Sequence, residues 1–156
     1  MASKKTNNWN WTAVFLWSLF AALLIGLDQW TKYWIQHRMI VGDSERVTDF
    51  FNLVVAYNTG AAFSFLADAG GWQQPIFLVL ALVISVVILC LIAKNSSKPV
   101  LCFGLSLVLA GAIGNAYDRM NLGYVVDFLD FHAFNYHWPA FNVADICICV
   151  GAFIVI

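Results

Sequence analysis

Residues 110–131 read AGAIGNAYDRMNLGYVVDFLDF. The stretch opens as an apolar run fit for a lipid bilayer and then sets Asp118, Asp127 and Asp130 within thirteen positions. A second case follows in FNVADICICVGAFIVI, residues 141–156, where Asp145 is the one ionisable side chain apart from cysteines. A charged acid at mid-membrane costs about 2.5–3.5 kcal/mol on insertion scales, so each such group must be paired, hydrated or used.

The rest of the chain supports a bilayer setting. Hydrophobic residues make up 62% of the 156 and charged residues 11%, against roughly 45–50% apolar in soluble domains. This composition specifies an all-α integral membrane protein in one domain, residues 1–156. A net charge of -1 offers nothing to nucleic acid, and no such partner is expected. Spanning helices need about 20 mostly apolar residues, and four segments qualify: 11–27, 75–93, 99–116 and 140–156. Pro75, Pro99 and Pro139 are expected at first helical positions, where a missing N–H is tolerated. The first span is read as retained, because no small-residue cleavage site follows it. The fourth stops at Ile156 without a polar flank, and the natural chain is expected to continue.

Four spans put both termini on one side, with Lys4, Lys5, Lys94 and Lys98 in short basic stretches. The opposite side carries its four cations diluted among acids, so the termini are placed in the cytoplasm. All four cysteines fall inside spans and behave as small apolar residues. Segment 28–74 is expected to form an extracytoplasmic cradle, a small β-sheet on the outer membrane surface, and a lid. Residues 46–60 are rich in Val, Phe and Tyr and predict strand, while 61–72 reads as a short interfacial helix ended at Gly70 and Gly71.

On this frame Asn115, Asp118 and Arg119 close the third span, and Asn142 and Asp145 open the fourth at i and i+3. Asp127 lies on the connection between them. Asp28, at the end of the first helix, has Lys32 four residues on, and Asp118 has Arg119 beside it, so both acids are read as structural. Asp130 is ambiguous. Asp127 and Asp145 have apolar neighbours and no adjacent cation. A facing carboxylate pair shares a proton and can hold a water between base and acid, but a structural or transport role is equally open on residues alone.

Five blocks carry a resemblance: LDQWTK (27–32), YNTGAAFS (57–64), GAIGNAYDR (111–119), VVDF (125–128) and FNVAD (141–145). In this order they resemble the bacterial lipoprotein signal peptidase, or signal peptidase II, family along the whole chain. The resemblance implies a membrane-embedded aspartic endopeptidase that cuts prolipoproteins before a diacylglyceryl-modified cysteine. It puts the dyad on Asp127 and Asp145 and the supporting groups on Asn58, Gly60, Asn115, Arg119 and Asn142, with Asp28 and Lys32 in the first block. It also implies the bacterial cytoplasmic (inner) membrane, a site toward the extracytoplasmic face, a monomer in contact with membrane lipid, and no cofactor. Ala110 departs where many members have glycine, and Ile146 where serine is frequent.

Rival readings are a proton-coupled transporter, which needs polar or broken helices where 75–93 offers only Ser85, and a non-catalytic membrane chaperone. A metallopeptidase is disfavoured, since His37, His132 and His137 form no HExxH and no helical pair four apart.

Overall fold

The computed structural model describes residues 9–60 and 70–156. Its elements run α1 (Trp11–Arg38), β1 (Ser44–Arg46), β2 (Phe51–Asn58), α2 (Gln73–Lys94), α3 (Pro99–Leu122), β3 (Val125–Ala133), β4 (Tyr136–His137) and α4 (Val143–Val155). Three helices, α1 to α3, are long and apolar enough to cross a membrane, and α4 is a shorter apolar helix of 13 residues. The helix expected at 61–72 lies largely outside the described residues.

The centre is α3, which touches α1, α2 and α4. Its small residues permit this. A Cβ on Gly111 would come within 2.3 Å of the Ala144 carbonyl oxygen, and one on Gly151 within 2.6 Å of the Gly104 carbonyl oxygen, so α3 and α4 approach backbone to backbone. Ala110, one departure from the family pattern, is buried in the α1–α2–α3 core, and Ile146 points outward, away from the polar centre.

Three expectations about helix ends are corrected. α1 does not stop at Leu27 but runs 28 residues to Arg38. Asp28 therefore sits inside the helix: it and Lys32 are buried, while Leu27, Trp30, Tyr33 and Trp34 face out. Pro99 is the first residue of α3, but Pro75 is the third of α2, and Pro139 precedes α4, which begins only after Asn142.

The strands form one antiparallel sheet in the order β1-β2-β3-β4. Its Val55, Val126 and Phe128 pack with Ile35 and Met39 at the far end of α1 in a second core. The sheet is thus not confined to 28–74; half of its strands come from the chain after α3. Gly123, at φ 79°, ends α3 in a left-handed cap and turns the backbone into β3. Asp127, expected on a connection, stands on β3 opposite Ala56 of β2.

Candidate active site

Four elements deliver the polar centre. Asn58 ends β2, Asp127 lies on β3, Asn115 and Arg119 sit in the last turns of α3, and Asn142 with Asp145 opens α4. The start of α4 explains why the last two converge. Asn142 is the N-cap: its side-chain oxygen accepts from the Asp145 backbone N at 2.9 Å, and the Asp145 carboxylate accepts from the Asn142 backbone N at 3.3 Å. This is a capping box, which satisfies two otherwise orphaned N–H groups of the helix.

The same Asn142 reaches the other acid. Its Nδ2 donates to Asp127 Oδ1 at 2.7 Å, so one residue holds both carboxylates and makes them neighbours. Asp127 Oδ2 receives a second amide, Asn58 Nδ2, at 3.2 Å, and Asp145 Oδ1 receives Asn115 Nδ2 at 2.8 Å. Among the described residues no ion pair reaches either acid. Burial first, and then the adjacent Asp145 carboxylate, push the Asp127 carboxyl from 3.8 up to about 7, against the opposing pull of hydrogen bonds from Asn58 and Asn142 and the charge of Lys32. Two close carboxyls with one proton between them can act as acid and base in a single step.

Asp145 is also accessible. It lines an open groove of about 170 Å³ with Asn115 and Arg119 of the polar centre and Phe77, Ala81 and Ile148 of the apolar walls. Arg119 spans the groove and the β2 end: its guanidinium donates to the Gly60 carbonyl at 2.7 Å and the Asn115 carbonyl at 3.3 Å, and lies 5.0 Å over the Phe77 ring. Its Nε is buried and has no hydrogen-bond partner among the described residues. Gly60 contributes through its backbone, since its N–H turns back to Asn58 Oδ1 at 2.8 Å.

The remaining acids form a separate cluster. Lys32 Nζ lies 2.8 Å from Asp28 and 2.9 Å from Asp118, all three side chains being buried. The pairing of Asp118 with Arg119 expected from their adjacency is therefore corrected: neighbours on a helix point about 100° apart, and Asp118 turns to α1 while Arg119 turns to Gly60. Gln29, which the sequence reading passed over, joins the cluster by donating to Asp118 at 2.8 Å and Asp28 at 3.1 Å. Its contacts on α3 are 85 or more positions away in sequence, and no local pattern marks it. Asp130 stands apart, bound by Asn52 at 2.9 Å and His137 at 2.9 Å at the far side of the sheet.

The pattern of the family described as Signal peptidase (SPase) II matches residues 20–156. A lipoprotein signal peptidase of Cupriavidus necator is 50% identical over 154 residues, covering 99% of this chain and 88% of its own. One from Ralstonia nicotianae is 51% identical over 140 residues, covering 90% and 81%. Among solved structures, a bacterial membrane enzyme determined by the in meso method at 2.3 Å resolution aligns with a TM-score of 0.80 and 31% identity over 96% of this chain and 88% of that one.

Proposed function

The chain belongs to the signal peptidase II family, and from that premise we propose that Asp127 and Asp145 are the catalytic pair of this membrane-embedded peptidase. The protein removes signal peptides from prolipoproteins. Its substrate bond is the amide before the diacylglyceryl-modified cysteine. The observation that carries the dyad is the bridging Asn142, which holds both carboxylates at the mouth of a groove that one of them lines.

The reaction needs only these groups and a water. The ionised carboxylate takes a proton from the water as its oxygen attacks the scissile carbonyl carbon, and the protonated partner gives its proton to the carbonyl oxygen. The tetrahedral adduct then collapses, the C–N bond breaks, and the amine leaves with a proton returned through the pair. Arg119, which lines the groove, supplies guanidinium donors for a substrate backbone carbonyl. The apolar walls at Phe77, Ala81 and Ile148 suit a substrate that arrives through lipid. One chain supplies every group, so the enzyme acts as a monomer.

In the cytoplasmic membrane of the bacterium, with α4 as a fourth span and the termini inside, the dyad faces the extracytoplasmic side. A cysteine introduced at Asn135, in the β3–β4 turn, should then react with an impermeant thiol reagent in intact cells, and one at Ser97 should not; the reverse pattern inverts this topology. The activity itself is tested with Asp127→Asn and Asp145→Asn. Each removes one proton-transfer group at almost constant volume, so cleavage of a diacylglyceryl prolipoprotein peptide should fall by on the order of 10⁴-fold. Near-normal turnover in either variant overturns the dyad.

A further inference from the structure

Three asparagine amides hold the dyad, and each gives its NH₂ end to a carboxyl oxygen, the end an ionised carboxylate accepts. A reversed amide sets oxygen against oxygen. What fixes the orientation differs among the three. Asn58 is turned by a local backbone donor, the Gly60 N–H on its Oδ1 at 2.8 Å. Asn142 is turned by another, the Asp145 N–H on its Oδ1 at 2.9 Å. Asn115 lies inside α3, where backbone N–H groups are consumed by the helix ladder, so no local donor can do the same for it.

Its donor comes instead from α1. Lys32 Nζ gives a hydrogen bond to Asn115 Oδ1 at 3.1 Å. An ammonium has three N–H groups and no acceptor, and the other two go to Asp28 at 2.8 Å and Asp118 at 2.9 Å. All three directions of this fully buried side chain are therefore assigned, and the third serves the site rather than the ion cluster. The same Asn115 Oδ1 also accepts from Asn142 Nδ2 at 3.3 Å, the group that donates to Asp127. With Lys32 behind it, Asn115 keeps its oxygen toward Lys32 and Asn142 and its Nδ2 on Asp145.

Building on the dyad assignment above, we propose that Lys32 is a positioning residue of the peptidase: its third N–H fixes the Asn115 amide and so sets the hydrogen bond to Asp145 and steadies Asn142 against Asp127. Lys32 touches no substrate. Its effect belongs in the chemical step, since misplaced reacting groups slow turnover while substrate contacts on the groove walls stay intact.

The test separates this role from neutralising Asp28 and Asp118. Lys32→Met alone strands two buried carboxylates and is expected to unfold. The triple variant Asp28→Asn, Lys32→Met, Asp118→Asn removes all three charges together, which a buried ion cluster tolerates far better. Its reference is Asp28→Asn, which leaves Lys32 paired with Asp118 and still donating to Asn115. In bilayer nanodiscs, with a diacylglyceryl prolipoprotein peptide, the triple variant should show a kcat about 100-fold below the reference and a KM within about threefold of it. Equal kcat in the two, a loss expressed in KM, or a triple variant that does not fold would each overturn the proposal, the last because Lys32 would then serve the fold whatever its partners. Asp127→Asn and Asp145→Asn run in the same assay: if they still cleave, the dyad assignment itself has failed, not the role of Lys32.

Discussion

Two sets of buried acids lie side by side in this protein and are held in opposite ways. In the Asp28–Lys32–Asp118 cluster every carboxylate oxygen is occupied from within the fold: Asp28 by Lys32, Gln29 and the Ala144 N–H, Asp118 by Lys32, Gln29 and the Val126 N–H. In the Asp127–Asp145 pair the donors are asparagine amides and one capping N–H, with no cation in contact among the described residues, and Asp145 borders an open groove. Carboxylates held by a buried ammonium tie α1, α3, β3 and α4 together and can do little else. A pair held by neutral donors keeps its place and can still exchange a proton. Burial alone therefore does not identify a reactive acid; the kind of partner does.

The largest expected effect on stability comes from breaking the first set. Asp118→Leu takes one of the two carboxylates from buried Lys32 and the acceptor from Gln29 and the Val126 N–H, and should destabilise the protein by roughly 3–5 kcal/mol, read as a lowered midpoint in detergent unfolding. A midpoint unchanged from the parent would remove the contrast. Next comes the backbone contact that brings Asp145 to Asp127. Gly111→Ala places a Cβ where the Ala144 carbonyl oxygen stands 2.3 Å away, and backbone cannot step aside as a side-chain tip can. A loss of about 1–3 kcal/mol is expected, with turnover falling further because the start of α4 moves; unaltered turnover would show that the α3–α4 approach does not position the dyad.

Dependence on pH sharpens the same contrast. Folding lifts the Asp127 carboxyl from 3.8 to about 7, so the folded chain keeps a proton that the unfolded chain gives up. This contribution is complete below 3.8 and is lost as pH rises to about 7. Cleavage that needs one proton on the pair should fall as pH rises through about 7, and a rate profile flat across that region would contradict a shared proton. The smallest effect belongs to the surface. Arg38 and Glu45 pair at 2.7 Å but with nearly half of each side chain in the open, where solvent screens the charge. Glu45→Gln should change neither the melting temperature nor turnover, and a clear drop in either would mean that the outer sheet is coupled to the site.

Much of this was legible in the sequence where one residue type could serve one purpose. The acids in apolar surroundings announced themselves, and β2 was visible in the Val, Phe and Tyr content of 46–60. β3 was not, because Val125, Val126, Asp127 and Phe128 are all buried, which erases the alternation that marks a half-exposed strand. The polar run at Asp28 to Lys32 looked like the end of α1, since its partners lie on α3 and α4, far along the chain. Asn142 and Asp145 had capping-box spacing and were read as one helix face instead; the structure gives them both meanings, a helix start that is also half of the site. Which amide faces which acid depends on contacts between elements, and no spacing encodes that.

The central claim is that partner chemistry separates the reactive acids from the structural ones, and it is tested most directly by measuring turnover and melting temperature together for Asp127→Asn and Asp28→Asn. For Asp127→Asn the account predicts a melting temperature like the parent's and no detectable cleavage. For Asp28→Asn it predicts a lowered melting temperature and a folded fraction that still cleaves. Cleavage by Asp127→Asn, or a fully stable Asp28→Asn protein that is inactive, would contradict it.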